Sequence, residues 1–521
     1  MGKSNPARRL LAILGCCLGI AACSTVDFTA PKDVSVALAP SVTSETALGR
    51  YASEQMLGQN PQQSGFHLLP DAIDALSLRL LLADKAQRTL DAQYYLVKAD
   101  TAGLAFMHAL LKAADRGVQV RLLIDDMFTS GHDIGLAALD HHPNIAIRIF
   151  NPFAQRGIRA FDGWDFGRIN RRMHNKSFTV DNQLTILGGR NIASEYFGAR
   201  KDARFGDLDV LALGPIVPEV SASFDAYWNH ERAAPLPLFA RMPDDPEAAL
   251  VKVRERLEAA RGEAEQDTKL YADAVRARVQ RYLAGGKRLF TFADYTLAVD
   301  SPDKSFRKLA ATAPSIKTTL LQSLATAEKE VILISPYFVP GEIGVKTLAE
   351  AQARGIQVTV VTNSLAANNQ FTVHAGYAPR RKALLKAGVR LFEVRPDAQF
   401  SGQDLVAASS AKSTLHTKAF VVDDREMFIG SFNFDPRSAN INTEVGVVIR
   451  SPELAAQAFQ PVENWLRERT WQLVLSDDKQ LRWRGLGPAG EMQEWTQEPG
   501  TSWWDRFVVG FVGLLPIDSQ L

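Results

Sequence analysis

The chain has 521 residues, and 46% of them are hydrophobic, so it can form more than one domain with a core of its own. Its 59 basic and 58 acidic side chains give a net charge of +1. Proteins that bind long stretches of nucleic acid normally carry a basic excess, and this balance therefore argues against a nuclease.

The N-terminal segment predicts export from the cytoplasm. Lys3, Arg8 and Arg9 precede an apolar run at 10–22, which is too short to span a bilayer comfortably. A basic start followed by a short apolar run is typical of a cleaved signal peptide, which we place at residues 1–22.

The end of this segment, Ile20-Ala-Ala-Cys23, resembles a bacterial lipoprotein signal. We therefore expect Cys23 to be acylated and the mature protein to lie in a bacterial cell envelope, lipid-anchored and facing the periplasm. Ser24 favours the outer membrane. A plain signal peptide or an uncleaved anchor is the alternative. The other two cysteines, Cys16 and Cys17, are removed with the signal, so no disulfide framework is expected.

Residues 23–65 are polar and predict a tether. Residues 66–243 then show helix and strand patterns in alternation, which predict a first domain. The predicted elements are a helix at 71–86, a strand at 89–97, a helix at 104–116 with a C-cap at Gly117, and a strand at 118–124.

Residues 244–286 are dense in charge and predict a helical insertion without assigned chemistry. Residues 287–475 then repeat the order of the first domain. The predicted elements are a strand at 330–335, a helix ending at Arg354 and a strand at 355–361, and Ala114–Val120 resembles Gln352–Val358. This alternation predicts an α/β fold of two repeats. Each would be a mainly parallel sheet flanked by helices, with a shared site at their interface.

The loop Asn151–Met173 combines basic and aromatic side chains. They are Arg156, Arg159, Arg168, Arg171, Arg172, Phe153, Phe161 and Trp164. One interpretation is solvated loop charge, and the other is a basic, aromatic rim over the pocket that suits an anionic lipid surface.

Residues 476–521 predict a C-terminal tail. Its segment Trp503–Pro516 is short and apolar with aromatic and arginine flanks, a composition typical of a membrane-interfacial segment. A terminal helix docked on the domain core is the alternative.

One motif, His-x-Lys-x4-Asp, occurs twice, 242 positions apart. The first copy consists of His174, Lys176 and Asp181, and the second of His416, Lys418 and Asp423. Because residues i and i+2 of a strand share a face, each copy directs an imidazole and an ammonium the same way. The repeat predicts one nucleophile or acid per copy around an anionic phosphate.

A loop able to donate hydrogen bonds follows each copy. We expect the amides of Asn191 and Asn433 and the hydroxyl of Ser431 to bind phosphate oxygens, whereas Gly189 at the matching position of the first copy offers no hydroxyl. No other cluster has metal-ligand spacing, and two lysines would repel a divalent cation. Neither a metal nor another cofactor is expected.

The doubled motif resembles that of the phospholipase D superfamily, and the resemblance extends over residues 66–471. It implies that both half-sites form one active centre, with His174 as the nucleophile that becomes phospho-histidine and His416 as the acid and base. Segments 293–302, 373–377 and 514–521 resemble bacterial cardiolipin synthases within that superfamily.

The resemblance implies a phosphatidyltransferase that moves a phosphatidyl group from a phospholipid donor to phosphatidylglycerol. The expected partners are these two phospholipids and a membrane, with no nucleic acid. The alternatives are a hydrolase that releases phosphatidic acid, a phosphodiester nuclease, and an envelope lipoprotein without catalytic activity.

Each histidine also needs a partner that fixes its tautomer and ring plane. Glu444 stands on the strand after the second motif, and Asp207 stands at the matching place after the first. We predict that these two carboxylates orient the histidines, with Asp209 as the competitor of Asp207.

Asp181 and Asp423 belong to the catalytic motif but come at the ends of its strands. We expect them to accept hydrogen bonds from the loop backbone rather than to contact phosphate. His374 follows another predicted strand and either lines the pocket or is a loop histidine without a role, the second being favoured.

Overall fold

The computed structural model describes residues 26–199, 203–267, 269–284, 289–306, 315–398, 412–459, 462–487, 490–515 and 520. The predicted signal peptide and Cys23 lie outside these residues. Among the helices described, none combines the length and the apolar character that a membrane span needs.

The first half is an eight-stranded sheet with helices on it. Its elements are α1 (Pro40–Thr43), α2 (Ala47–Met56), β1 (Ser64–Leu69), α3 (Ala72–Lys85), β2 (Thr89–Tyr94), α4 (Thr101–Asp115), β3 (Gln119–Asp125), α5 (Asp133–Asp140), β4 (Ile145–Phe150), α6 (Phe166–Ile169), β5 (Ser177–Val180), β6 (Leu184–Gly188), β7 (Ala203–Gly206), β8 (Asp209–Leu213), α7 (Ile216–Trp228), β9 (Ala233–Pro235), α8 (Pro246–Asp267) and α9 (Lys269–Ala284), of which β7 lies outside this sheet.

The second half repeats the plan. Its elements are β10 (Thr291–Val299), α10 (Ile316–Ala325), β11 (Glu330–Ile334), α11 (Gly341–Ala353), β12 (Gln357–Asn363), α12 (Phe371–Tyr377), α13 (Arg381–Lys386), β13 (Arg390–Val394), β14 (Lys412–Leu415), β15 (Ala419–Val422), β16 (Glu426–Gly430), α14 (Pro436–Asn440), β17 (Val445–Arg450), α15 (Pro452–Phe459), α16 (Val462–Arg469), β18 (Thr470–Leu475), β19 (Leu481–Leu486), β20 (Met492–Trp495) and α17 (Trp503–Val512).

Three neighbouring strands run parallel in each half, namely β2, β3 and β4 in the first and β11, β12 and β13 in the second. Each trio continues into an antiparallel hairpin that carries a motif copy, β5–β6 or β15–β16. The predicted α/β fold of two repeats is confirmed. The sheets are mixed, with more antiparallel pairing than the alternation predicted, because each motif strand turns back at once instead of crossing over through a helix.

The turns of these hairpins explain part of the motif. Asp181 and Asn182 have φ of 53° and 49°, and Asp423 and Asp424 both have φ of 54°. Asp and Asn tolerate this left-handed backbone better than other residues with a side chain. The motif aspartate therefore stands where the chain must reverse.

The two halves meet edge to edge. β1 pairs antiparallel with β10, with Gly65 opposite Phe292, while β1 also pairs with β8 and β10 with β17. One continuous sheet thus runs through both halves, and this places the ends of the motif strands of both repeats at one interface.

Residues 26–65, for which the sequence predicts a tether, pack against the first half. Carbonyl groups of Leu38 and Pro40 accept hydrogen bonds from Asn182 and Gln183, and Leu48 and Ala52 of α2 join the hydrophobic core. The tether prediction is wrong here, because the polar composition conceals an amphipathic helix whose buried residues are four positions apart.

The packing also defines the helical insertion and the C-terminal end of the second sheet. α8 and α9 fill the predicted helical insertion, and Leu250 and Leu257 of α8 are buried in the first half's core. β19 pairs with β18 and β20 with β19, so the second sheet extends to Trp495 rather than ending at residue 475. The tail proper begins after β20.

Candidate active site

The two halves exchange backbone hydrogen bonds immediately beside each motif histidine. The His174 N–H donates to the carbonyl of Thr443 at 2.9 Å, and the His416 N–H donates to the carbonyl of Gly206 at 2.7 Å. β14 runs parallel to β7, with Leu415 opposite Gly206, and Met173 forms a parallel bridge with Thr443. Each histidine therefore lies next to a strand of the other half.

This crossing brings each histidine to a carboxylate of the opposite repeat. His174 Nδ1 lies 2.8 Å from Glu444 Oε2, and His416 Nδ1 lies 2.6 Å from Asp207 Oδ2. With Nδ1–H donating to the carboxylate, Nε2 keeps its lone pair and faces the interface. Asp209, the competitor of Asp207, instead forms buried ion pairs with Arg79 and Arg190.

Buried hydroxyl groups support Glu444. Ser438 Oγ donates to Oε1 at 2.7 Å, and Ser431 Oγ donates to Oε2. Burial raises the pKa of Glu444 to about 7. The hydroxyl of Ser431, predicted to bind phosphate, thus donates to the carboxylate that contacts His174.

In the first half, Gly189 occupies the position that Ser431 occupies in the second half. The backbone of Gly189 approaches Asp207 closely. A Cβ atom added to Gly189 would lie 2.2 Å from Asp207 Oδ1. The shorter aspartate therefore requires glycine at a position where the longer glutamate accommodates serine. Burial also raises the pKa of Asp207 above its usual range.

The motif lysines are buried with the histidines. Lys176 Nζ donates to the carbonyl of His174, and Lys418 Nζ donates to the carbonyl of His416, both at 2.6 Å. Burial lowers the pKa of Lys418 to about 8 and that of Lys176 well below its usual value. Two cations in one buried interface suit a dianionic or monoanionic ligand.

Both histidines are held neutral in this environment. Burial lowers the pKa of His174 and of His416 well below the usual value, and the charges of Lys176 and Lys418 lower them further. A neutral imidazole has the free lone pair that a nucleophile needs.

The asparagines that follow each hairpin are buried at the same interface. Asn191 Nδ2 donates to the Tyr196 hydroxyl at 3.0 Å. Among the described residues, no donor forms a hydrogen bond to Asn433 Oδ1. Within the described residues, Asn191 Oδ1 likewise has no hydrogen-bond donor. The unpaired atom of each amide is thus an acceptor, and binding of a phosphate oxygen requires the amide to present its Nδ2–H donors instead.

Asp181 and Asp423 lie at the opposite ends of their strands from the histidines. Asp181 accepts hydrogen bonds from the backbone N–H groups of Gln87, Arg88 and Thr89, and Asp423 accepts them from Glu328, Lys329 and Glu330. Each aspartate fixes the chain just before a parallel strand begins, which agrees with the structural role expected for it.

Aromatic rings that sequence patterns did not reveal surround both histidines. Tyr95 meets the ring of His174 edge-on at 4.9 Å, and Tyr196 meets that of His416 edge-on at 4.9 Å. Phe205 stacks on His416 at 5.5 Å, and Tyr337 lies 6.3 Å from it. Their signal in the sequence is only an aromatic residue near a strand end, which is common in buried strands.

The sequence left two interpretations open for the loop before the first motif, solvated charge and a basic rim, and the contacts of its arginines fit neither. Arg156 pairs with Asp126 and Asp133, Arg159 pairs with Asp126, and the buried Arg172 pairs with Asp125. These arginines hold the loop together instead of facing a lipid surface. The exposed residues of the loop are apolar: Ile158, Phe161, Trp164 and Phe166, which we call the loop patch.

The tail forms a second exposed apolar surface. α17 begins with a capping box between Ser502 and Asp505 and docks through Val509 against Leu365 and Ala375. Its outer face, the tail patch, consists of Trp503, Trp504, Phe507, Phe511, Leu514 and Leu515. Gln520 then hydrogen-bonds to Asn170, close to the loop patch in sequence.

His374 is buried away from the histidine pair. It lies on α12, and its Nε2 is 3.3 Å from Glu498, which also pairs with Arg381. This cluster connects the chain ahead of α17 to the second half, and the contacts of His374 therefore stabilise the fold. Among the described residues, no group of His, Cys, Asp and Glu side chains has the arrangement of a metal site.

The site thus contains two histidines, and each contacts a carboxylate of the other repeat. Two lysines and two asparagines accompany them. This arrangement defines a phosphodiester-processing enzyme of the phospholipase D type. Comparison with known proteins agrees. A family model described as "Cardiolipin synthase, PLD-like domain" matches residues 81–228 and 320–466.

The chain is 38% identical over 479 residues to "Cardiolipin synthase C" of Escherichia coli strain K12, with 89% of this chain and 98% of that protein covered. It is 25% identical over 379 residues to "Cardiolipin synthase" of Staphylococcus aureus strain Mu50, with 71% and 60% covered. The crystal structure of Haemophilus influenzae Rd KW20 phosphatidylserine synthase has the same fold, with a TM-score of 0.54 at 13% identity over 81% of this chain and 91% of that one. The chain belongs to the cardiolipin synthase family with phospholipase D-like domains and is a phosphatidyltransferase.

Proposed function

We propose that the protein joins two phospholipids into cardiolipin, by transferring a phosphatidyl group from a donor lipid to a hydroxyl of phosphatidylglycerol. The observation that carries the proposal is the crossed pairing of His174 with Glu444 and of His416 with Asp207. It places two imidazoles with the same Nδ1–H tautomer at one buried interface, one to attack phosphorus and one to carry the proton of the leaving group.

In the first step, His174 Nε2 attacks the phosphorus of the donor lipid. Before this step His416 takes up a proton from solvent, because the anionic phosphate of the bound donor offsets the charges of Lys176 and Lys418. The bond from phosphorus to the headgroup oxygen then breaks, and the leaving alkoxide takes that proton from His416 Nε2. The assignment of His174 as nucleophile rests on the resemblance to the family. Asp207 stabilises the positive charge of His416 before the proton leaves.

In the second step, His416 accepts the proton of the acceptor hydroxyl, and the acceptor oxygen attacks the phosphorus. The bond between phosphorus and His174 Nε2 breaks, which regenerates the neutral imidazole. Lys176, Lys418, Asn191 and Asn433 stabilise the charge on the non-bridging oxygens in both steps. The lysines and amides supply this stabilisation without a metal ion.

We propose that the loop patch and the tail patch rest on the membrane surface. Trp and Phe side chains with an amphipathic helix are typical of interfacial segments. Trp164 is 67% exposed and Trp504 is 60% exposed. The hydrogen bond between Asn170 and Gln520 connects the segments that carry the two patches, so both can face one bilayer beside the site. Acylation of Cys23 would add an anchor.

The experiment is a product analysis with purified protein and phosphatidylglycerol vesicles in a buffer that contains EDTA. Cardiolipin is expected as the main product, and His174→Ala serves as the inactive control. Phosphatidic acid as the main product would instead identify a hydrolase, and activity that depends on an added divalent ion would contradict the metal-free mechanism.

The membrane surface has a separate experiment. The double variant Trp164→Ser/Trp504→Ser should sediment less with vesicles and form less cardiolipin relative to phosphatidic acid, because water replaces lipid at the site. Ile343→Ser is the matched control, since Ile343 is exposed but lies outside both patches. Equal vesicle binding by the double variant and the control would refute this surface.

A further inference from the structure

The two half-sites differ in charge four residues after each buried asparagine. This position is Glu195 after Asn191 and Arg437 after Asn433. Glu195 forms an ion pair with Lys98, so its charge is balanced. Among the described residues, the hydrogen-bond acceptors of Arg437 are neutral, and its charge also opposes the burial-driven rise of the pKa of the nearby Asp435 without an ion-pair contact.

Arg437 donates from Nη1 to Asn170 Oδ1 at 2.8 Å and to the Gln520 carbonyl at 3.3 Å, and from Nη2 to the Asn170 carbonyl at 2.6 Å. It is half-buried and belongs to α14, whose Ser438 holds Glu444. The guanidinium therefore lies between the two halves, one residue from the group that supports the orienting carboxylate of His174.

Electrostatic effects agree with this location. The charge of Arg437 contributes to the lowered pKa of His174, after burial and the two lysines. It also opposes the burial-driven rise of the pKa of Tyr95, whose ring contacts His174. Its hydrogen bonds to Asn170, four residues before His174, place this cation beside the segment that leads into the first motif.

The acceptor lipid carries an anionic group that suits such a cation. Phosphatidylglycerol carries its own phosphate, separated from the reacting hydroxyl only by the glycerol headgroup. Lys176 and Lys418 already face the phosphate that reacts. A second phosphate brought to the same buried interface needs its own donors, and an arginine fork matches phosphate oxygens well.

We propose that Arg437 binds the phosphate of the acceptor lipid, which takes the place of the Gln520 carbonyl. The inference rests on the proposed transferase function and adds a subsite to it. Arg437 then selects anionic lipid acceptors over neutral alcohols, because only the former fill the subsite.

A competition experiment tests the subsite. Vesicles of phosphatidylglycerol with labelled acyl chains are incubated with the enzyme in buffer containing ethanol, so that both acceptors compete for one phospho-histidine. The measured quantity is the ratio of labelled cardiolipin to labelled phosphatidylethanol. Arg437→Gln should lower this ratio by at least about ten-fold, since a charged hydrogen bond to phosphate is lost.

Three variants separate the subsite from a structural role. Arg171→Gln changes a nearby arginine that donates to the Gly167 carbonyl and should leave the ratio unchanged. Asn440→Ala changes another side chain of α14, which donates to the Pro436 carbonyl, and should also leave the ratio unchanged, whereas Arg437→Lys should restore part of it.

An unchanged ratio in Arg437→Gln, or an equal fall in Asn440→Ala, would overturn the subsite while the cardiolipin made by the wild type still supported the proposed function. If Arg437→Gln does not fold, the Arg437→Lys and Asn440→Ala ratios decide. Absence of cardiolipin from the wild type would refute the proposed function itself.

Discussion

The two halves share a backbone plan but not the same set of side chains around their histidines. In one half-site, Glu444 orients His174 with help from Ser431 and Ser438. In the other, the shorter Asp207 orients His416 and lies against Gly189. A duplicated fold thus provides two equivalent histidines, and the differences between the half-sites allow them to take different roles.

The carboxylates cross between the halves, so neither repeat contains a complete catalytic pair. The His174–Glu444 contact joins residues 270 positions apart, and the His416–Asp207 contact joins residues 209 positions apart. We infer that the site forms only when both halves are folded and docked.

The largest effect is expected from the histidines. His174→Ala and His416→Ala should each lower turnover by roughly 10⁴-fold or more, because residues that act as one catalytic unit fail together. The measurement is cardiolipin formation in vesicles at equal protein concentration. If either variant keeps more than a few per cent of wild-type turnover, a single shared centre is refuted.

The carboxylates should come next, and their effect should depend on pH. Glu444→Gln and Asp207→Asn should each lower turnover roughly 10²- to 10⁴-fold, since an amide supports the wrong tautomer. In the wild type, Glu444 has a pKa of about 7 and loses its charge below that pH, while Lys418 has a pKa of about 8 and loses its charge above it. The pH profile of kcat/KM should therefore fall on both sides of a maximum between about 7 and 8.

Variants then assign the two limbs of that profile. Glu444→Gln should lack the acid limb, and Lys418→Arg should lack the alkaline limb if it remains active. An acid limb that persists unchanged in Glu444→Gln would show that another group controls it.

Gly189 and Ser431 occupy matching positions in the two halves. We expect unequal losses of turnover when each is replaced by the residue found at the other position. Gly189→Ser should lower turnover roughly 10²-fold, because its Cβ atom would displace Asp207 from His416. Ser431→Gly should lower it only about ten-fold, since Ser438 still donates to Glu444. Comparison of kcat for the two variants is the measurement, and the reverse order would contradict the packing argument.

The smallest effect on catalysis is expected from the motif aspartates. Asp181→Ala should reduce the free energy of unfolding by about 3 kcal/mol and Asp423→Ala by about 2 kcal/mol, since Asp181 is the more deeply buried of the two backbone acceptors. Denaturant unfolding measures the loss. Activity of the folded fraction should stay near that of the wild type, and a loss as large as that of a histidine variant would assign these residues to catalysis.

The sequence was sufficient to predict the two-repeat α/β fold and both histidine–lysine pairs, because their spacing is repeated along the chain. It also indicated Glu444 and Asp207 as orienting residues. It could not show that these carboxylates cross between halves, since the crossing arises from the pairing of β7 with β14 and of Met173 with Thr443. Such contacts between distant residues leave no local pattern.

Two sequence interpretations failed for a related reason. Residues 26–65 looked like a tether because their polar residues outnumber the few that α2 buries. The arginines of the loop before the first motif looked like a basic rim, but Asp125, Asp126 and Asp133 neutralise several of them. Composition gives the number of charges in a segment and not their partners.

The central claim is that one half supplies the nucleophile and the other supplies the acid and base. The most direct test is to incubate the wild type with labelled phospholipid, quench the reaction, and locate the adduct by mass spectrometry under conditions that preserve phospho-histidine. We predict a phosphatidyl adduct on His174 of the wild type, and none in His174→Ala. An adduct found on His416 of the wild type or of His174→Ala would reverse the roles of the two halves and contradict the claim.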